Sequence, residues 1–220
     1  MKKFVNFLSI FRIITAFAII PLFLFQMHWI VFILFILAAL SDFFDGYLAK
    51  KYNVTSKIGG VLDHIGDKLL VVNSMIILVV MMRVWFIMVP IILMIAREIY
   101  ISGLREFLGT QKIEMPVPKE RFSIGKIKTT LQMITIGAFF LLIAIGSSIA
   151  LPTTTWELKL LEILTIGSIA TTPIIYRSLL SIWNTLPHIC ILGLWLSLIA
   201  SLWSATTYTI DFKKKIKKLK

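Results

Sequence analysis

Six apolar stretches, at roughly 8–26, 29–49, 61–82, 84–108, 123–150 and 187–210, alternate with short basic segments along this chain. A helix needs about 20 apolar residues to cross the hydrocarbon of a bilayer, and each stretch meets that length. One aqueous core cannot absorb so many. With 58% hydrophobic and only 15% charged residues, the composition argues the same way. The expected fold is all-α: a polytopic integral membrane bundle of about six transmembrane helices. Residues 1–220 read as a single membrane domain. Pro21 and Pro90 fall inside two of the spans and are expected to kink them.

Into this apolar background the chain sets four aspartates in a short, ordered array. It reads Asp42-Phe-Phe-Asp45-Gly46-Tyr-Leu-Ala49-Lys50, eight further residues, then Gly59-Gly-Val-Leu-Asp63-His-Ile-Gly-Asp67. Asp42 and Asp45 are three apart and Asp63 and Asp67 four apart, so each pair shares a helix face. An ionised Asp at the centre of a bilayer costs ~2.5–3.5 kcal/mol, and four together also repel one another. Hard divalent cations take carboxylate oxygens as ligands and would relieve both penalties. The array reads as a metal site for two divalent cations, Mg²⁺ or Mn²⁺, facing each other from the ends of spans two and three. Two such ions can clamp a diphosphate and neutralise charge during an in-line phosphoryl displacement. Gly46, Gly59 and Ala49 leave a shallow wall along which a nucleotide can approach the helix backbones.

Basic residues set the orientation. Lys50, Lys51 and Lys57 follow span two. Arg105, Lys112, Lys119 and Arg121 follow span four, with Lys126 and Lys128 close behind. The tail carries Lys213, Lys214, Lys215, Lys217, Lys218 and Lys220, whereas the other side holds only Arg83, Lys159 and Arg177. Both termini, the aspartates and the cavity they line are expected to face the cytoplasm, in a cytoplasmic (inner) cell membrane. Met1-Lys2-Lys3 resembles the start of a signal peptide, but no small-residue cleavage site follows and the apolar stretch runs on to Phe25. A retained first span is expected, with Arg12 snorkelling to the surface. Residues 151–186, broken by Glu162 and Thr171-Thr172-Pro173, are expected to form an external interfacial or re-entrant extension rather than a seventh span.

The formal net charge of +12 suggests anionic partners. Its location beside apolar runs points to membrane headgroups and phosphate-bearing substrates, with no nucleic-acid motif anywhere. A single cysteine, Cys190, excludes an internal disulfide and a cysteine metal cluster, and reads as a small hydrophobe in a span.

The acidic array resembles the signature of the CDP-alcohol phosphatidyltransferase family, with Lys50 where the family usually has Arg. Lysine keeps the charge there but loses the planar fork. Ala96-Arg97-Glu98 and Gly125-Lys126-Ile-Lys128-Thr129-Thr130 resemble one branch, the phosphatidylglycerophosphate synthases, and the likeness resumes weakly at Leu202-Trp203-Ser204. The resemblance implies that Asp42, Asp45, Asp63 and Asp67 hold the two metals. It implies that Asp67 also serves as general base on the acceptor hydroxyl. Asp42, Gly46, Ala49, Lys50 and Gly59 would contact the nucleotide part of CDP-diacylglycerol. It further implies an sn-glycerol 3-phosphate acceptor, CMP as leaving group, membrane lipids as surroundings and a possible homodimer.

An acceptor bearing its own phosphate needs cations, and Arg97, Arg105, Lys126 and Lys128 are the candidates. Glu98 and Glu106 are placed to hold neighbouring arginines. Ser102 and Gly103 read as helix packing, and His64 as a bystander. A different acceptor, such as serine, inositol phosphate or phosphatidylglycerol, is the nearest alternative. A cation transporter is a remoter one, because its acidic groups would have to line a path across the bilayer.

Overall fold

The computed structural model describes the backbone of residues 2–52, 57–110, 124–148 and 174–217, and the side chains of 7–41, 59–110, 128–147 and 185–217. Six helices make up this part of the chain: α1 (Lys2–Leu24), α2 (His28–Tyr52), α3 (Lys57–Met82), α4 (Trp85–Thr110), α5 (Ile124–Ser148) and α6 (Ile174–Lys217). No strand occurs among the described residues. Phe7–Leu24, Gly59–Met82, Trp85–Thr110, Lys128–Ser147 and Thr185–Lys217 are each long and apolar enough to cross a membrane. The expected second span coincides with α2, whose described apolar part, His28–Ser41, is shorter. The protein is a polytopic, all-helical membrane protein.

The connections are built locally. Gln26, at φ 59°, closes α1 in the left-handed conformation. Its amide donates to the Phe23 carbonyl at 2.9 Å and that of Met27 to Leu22 at 3.0 Å, the paired bonds of a Schellman cap. Arg83, at φ 45°, ends α3 in the same conformation, with its amide 3.3 Å from the Val79 carbonyl. Two turns of two or three residues therefore join α1 to α2 and α3 to α4.

The chain divides into two compact units, Met1–Arg83 with Ile136–His188, and Val84–Thr135 with Ile189–Lys220. In the first, α1 packs along α3 and α2. Ala16, Ile19, Phe35, Ala38, Leu70, Leu78 and Phe140 form its buried centre, and the Phe35 and Phe140 rings meet edge-on at 5.3 Å. Asn73 crosses from α3 to donate to the Ala16 carbonyl at 2.8 Å.

In the second unit, Ile87, Ile91, Met94, Cys190, Leu194 and Leu198 are buried. Gly193 is required there, because a Cβ would fall 2.8 Å from Thr135 Oγ1. Pro90 lies inside α4, which runs on through it. Lacking an amide hydrogen, Pro90 leaves the Phe86 carbonyl without its helical donor. The Trp195 indole of α6 supplies a replacement at 3.2 Å. Large apolar side chains such as Phe7, Phe17, Trp85 and Ile99 point outward, as lipid-facing surface requires.

Two expectations need correction. Arg12 does not snorkel: its side chain is fully buried. The last helix begins at Ile174, well before residue 187, and continues through Pro187 to Lys217. Of the expected external extension, residues 174–186 are thus the first turns of α6, and 149–173 lie outside the described residues. The segment 111–123, with Lys112, Lys119 and Arg121, also lies outside them.

Candidate active site

The acidic motif is carried by the end of α2 and the start of α3. Asp42, Asp45, Gly46, Ala49 and Lys50 all lie on the helical backbone of α2, and their side chains are outside the described set. Gly59 sits buried in the first turn of α3. One turn apart on the same helix, Asp63 and Asp67 point to a common object, the guanidinium of Arg12 in α1.

Arg12 Nη1 donates to Asp63 Oδ1 at 2.8 Å and also to Asp67 Oδ1. Its Nη2 lies 3.5 Å from Ser41 Oγ in α2, and Ser41 donates its own hydroxyl to the Ala38 carbonyl at 2.7 Å. A buried arginine is tolerable only when paired in this way. The aspartates are more open, with 41% and 36% of their side-chain surfaces exposed. Gly66, between them in sequence, brings α3 close to α1: a Cβ there would sit 3.4 Å from the Ser9 carbonyl oxygen.

Two carboxylate oxygens converging on one positive nitrogen are a donor set suited to a hard cation, and the guanidinium marks a place where positive charge is held. Among the described residues no group of three or more His, Cys, Asp or Glu side chains comes together. Of the four expected metal ligands, only Asp63 and Asp67 have described side chains; those of Asp42 and Asp45 lie outside the described set. The donors present fit a divalent ion. His64 is exposed beside them.

The second unit holds the acceptor candidates. Arg97 in α4 donates from Nε to the Ser201 carbonyl at 3.1 Å, from Nη1 to Glu98 Oε1 at 3.0 Å and from Nη2 to Ser204 Oγ at 2.9 Å. Lys128 of α5, almost wholly buried, pairs with the same Glu98 oxygen. Glu98 is thus shared by Arg97 and Lys128, which fulfils its expected role of holding an arginine. Arg105, further along α4, is exposed and lies over the Tyr208 ring, 5.5 Å from its centroid. Lys126 lies on the backbone of α5, with its side chain outside the described set. Ser102 bonds back to the Glu98 carbonyl at 2.6 Å, a local helical contact. Glu106 is exposed.

The model of the CDP-alcohol phosphatidyltransferase family matches residues 3–158. The chain belongs to that family. It is 41% identical over 142 residues to a CDP-diacylglycerol–glycerol-3-phosphate 3-phosphatidyltransferase of Cereibacter sphaeroides, covering 62% of each chain. The protein of that name from Rickettsia typhi is 41% identical over 144 residues, 64% of this chain and 78% of the relative. One from Salmonella choleraesuis is 35% identical over 132 residues, 59% and 71% of the two chains. The family match ends before α6, the helix that supplies Ser201 and Ser204.

Sequence reasoning missed Arg12, Ser41 and Ser201 as parts of these clusters. Arg12 carried a signal, as a lone charge within an apolar stretch beside a chain rich in paired acids. Ser204 lay inside the Leu202-Trp203-Ser204 likeness but had no assigned role. Ser201 donates nothing to Arg97 from its side chain, offering its backbone carbonyl, so its residue type held no clue.

Proposed function

We propose that this protein transfers the phosphatidyl group of CDP-diacylglycerol to sn-glycerol 3-phosphate, giving phosphatidylglycerophosphate and CMP. The observation that carries this reading is the convergence of Asp63 and Asp67 on one positive charge, within a chain whose relatives bear that enzyme's name. The acceptor hydroxyl oxygen forms a bond to the phosphorus bearing diacylglycerol. The bond from that phosphorus to the CMP oxygen breaks, and CMP departs with the electron pair. Asp67 takes the hydroxyl proton, a role that needs hydrogen-bond reach of the acceptor.

Mg²⁺ or Mn²⁺ ions held by Asp42, Asp45, Asp63 and Asp67 would supply Lewis-acid neutralisation of the diphosphate. Gly46, Ala49 and Gly59 would leave room for the nucleotide, with Asp42 and Lys50 as its further contacts. Arg97 and Lys128, with Arg105 and Lys126 on the same helices, supply positive charge for the acceptor's phosphate. Arg97 is well organised for this role, since three of its N–H groups are already held in fixed directions. The placement of lysines and arginines supports a cytoplasmic location for both termini and the site, in the cytoplasmic membrane.

The test is CMP release by the purified protein in detergent, given CDP-diacylglycerol, Mg²⁺ and one acceptor at a time. Glycerol 3-phosphate should support turnover, and glycerol and serine should not. Equal rates with serine would instead indicate a different acceptor within the same family.

A further inference from the structure

Arg12 belongs to neither the acidic motif nor the acceptor cations, yet it is tied to both helices that carry the motif. It reaches Asp63 and Asp67 on α3, and Ser41, the residue before Asp42, on α2. The geometry points to Arg12 as a positioning residue for the acidic pair. It is an internal counter-cation that holds Asp63 and Asp67 together without metal and competes with a divalent ion for their oxygens. This inference rests on the aspartates being metal ligands, as proposed above.

Three features support it. The guanidinium is fully buried and its Nη1 is shared between the two carboxylates, so the arginine end of the pair is shielded from solvent while the aspartates stay open to it. A planar fork can engage two carboxylates and a hydroxyl at once, which the point charge of a lysine cannot do as well. Close approach of α1 at Gly66 sets Arg12 directly against the turn between the aspartates, where a Cβ on Gly66 would be 3.6 Å from Arg12 Cβ.

The consequence for metal binding follows from charge. An oxygen hydrogen-bonded to Nη1 is engaged, and a dication placed beside it meets a positive charge only a few ångströms away. Binding of the ion must therefore loosen the Arg12 contacts. Without Arg12 the carboxylates would repel each other in the metal-free protein but would take a dication more tightly. A purely structural arginine would have the first effect and not the second.

The experiment uses the full chain in detergent without substrates, titrated with Mn²⁺ and followed by the electron paramagnetic resonance of the free ion. Thermal unfolding is measured in parallel, in chelator and in Mn²⁺. Arg12→Met should bind Mn²⁺ roughly tenfold more tightly than the unaltered protein. It should unfold at a lower temperature in chelator and recover much of that loss as Mn²⁺ is added. Arg12→Gln should shift the affinity in the same direction, and it keeps the test readable if the methionine variant does not fold. Arg12→Lys, which keeps the charge, should bind Mn²⁺ within about threefold of the unaltered protein. Unchanged or weaker Mn²⁺ binding by the neutral variants would overturn this inference alone. Failure of the unaltered protein to bind Mn²⁺ would overturn the metal reading, and this inference with it.

Discussion

In one unit a single buried cation, Arg12, stands between two carboxylates; in the other a single carboxylate, Glu98, stands between two cations. The two clusters are mirror images in sign. Each uses one shared counter-ion to hold two like charges together within apolar helices, where either charge alone would be unfavourable. The majority charge of each trio suggests its ligand: a cation for the acidic pair, an anionic phosphate for the basic pair. Their exposure differs too. Asp63 and Asp67 are more than a third open, whereas the Arg97 and Lys128 side chains are 9% and 3% exposed. The acidic pair is thus the more open to solvent, and the basic pair the more enclosed.

The largest effect is expected at the acidic pair. Asp42→Asn, Asp45→Asn, Asp63→Asn and Asp67→Asn should each lower CMP release by roughly a hundredfold or more, since each would remove one of the proposed metal ligands. Chelation should abolish release by the unaltered protein, and Mg²⁺ should restore it. Full activity in excess chelator would end the analogy between the two clusters, because only one would then bind a charged ligand.

Next comes the shared carboxylate. Glu98→Gln leaves Arg97 and Lys128 side by side without their common anion, and breaking a buried pair of this kind costs about 3–5 kcal/mol. Thermal unfolding in detergent should show a clear loss of stability. Asp63→Asn should cost far less, because Arg12 keeps Asp67. Equal losses would mean that the two clusters are held by something other than their shared counter-ions.

Smaller effects separate the acceptor from the donor. Arg97→Gln should raise the KM for glycerol 3-phosphate by roughly ten- to a hundredfold, the equivalent of losing one charge-assisted hydrogen bond of ~1.5–3 kcal/mol. Ser204→Ala removes only the neutral partner of Arg97 Nη2, and a net hydrogen bond is worth about 1 kcal/mol. The KM should rise roughly fivefold, with little change in the KM for CDP-diacylglycerol. An effect of Ser204→Ala as large as that of Arg97→Gln would imply that Ser204 touches the acceptor itself.

The helices were legible because a membrane span needs a long apolar run, and such runs stand out in any chain. The acidic array was legible for the opposite reason, as polar groups in an unfavourable place. Where α6 begins was not legible, because backbone hydrogen bonding does not stop where hydrophobicity falls, and α6 continues as a helix both upstream of Pro187 and into the lysine-rich tail. Arg12 was misread because snorkelling and burial are equally open to a long cationic side chain near the end of a span. The choice depends on what waits inside, and here two aspartates 51 and 55 residues away supply the partners. Ser201 and Ser204 were hidden likewise, since 104 and 107 residues separate them from Arg97.

The division of labour between the two clusters can be tested in one set of kinetics on Asp63→Glu and Arg97→Gln. CMP release would be measured while Mg²⁺ and glycerol 3-phosphate are varied independently. The account predicts that Asp63→Glu raises the Mg²⁺ concentration needed for half-maximal rate and leaves the KM for glycerol 3-phosphate nearly unchanged. Arg97→Gln should raise that KM at least tenfold and leave the Mg²⁺ requirement where it was. A shift of the Mg²⁺ requirement by Arg97→Gln, or of the acceptor KM by Asp63→Glu, of comparable size would contradict it.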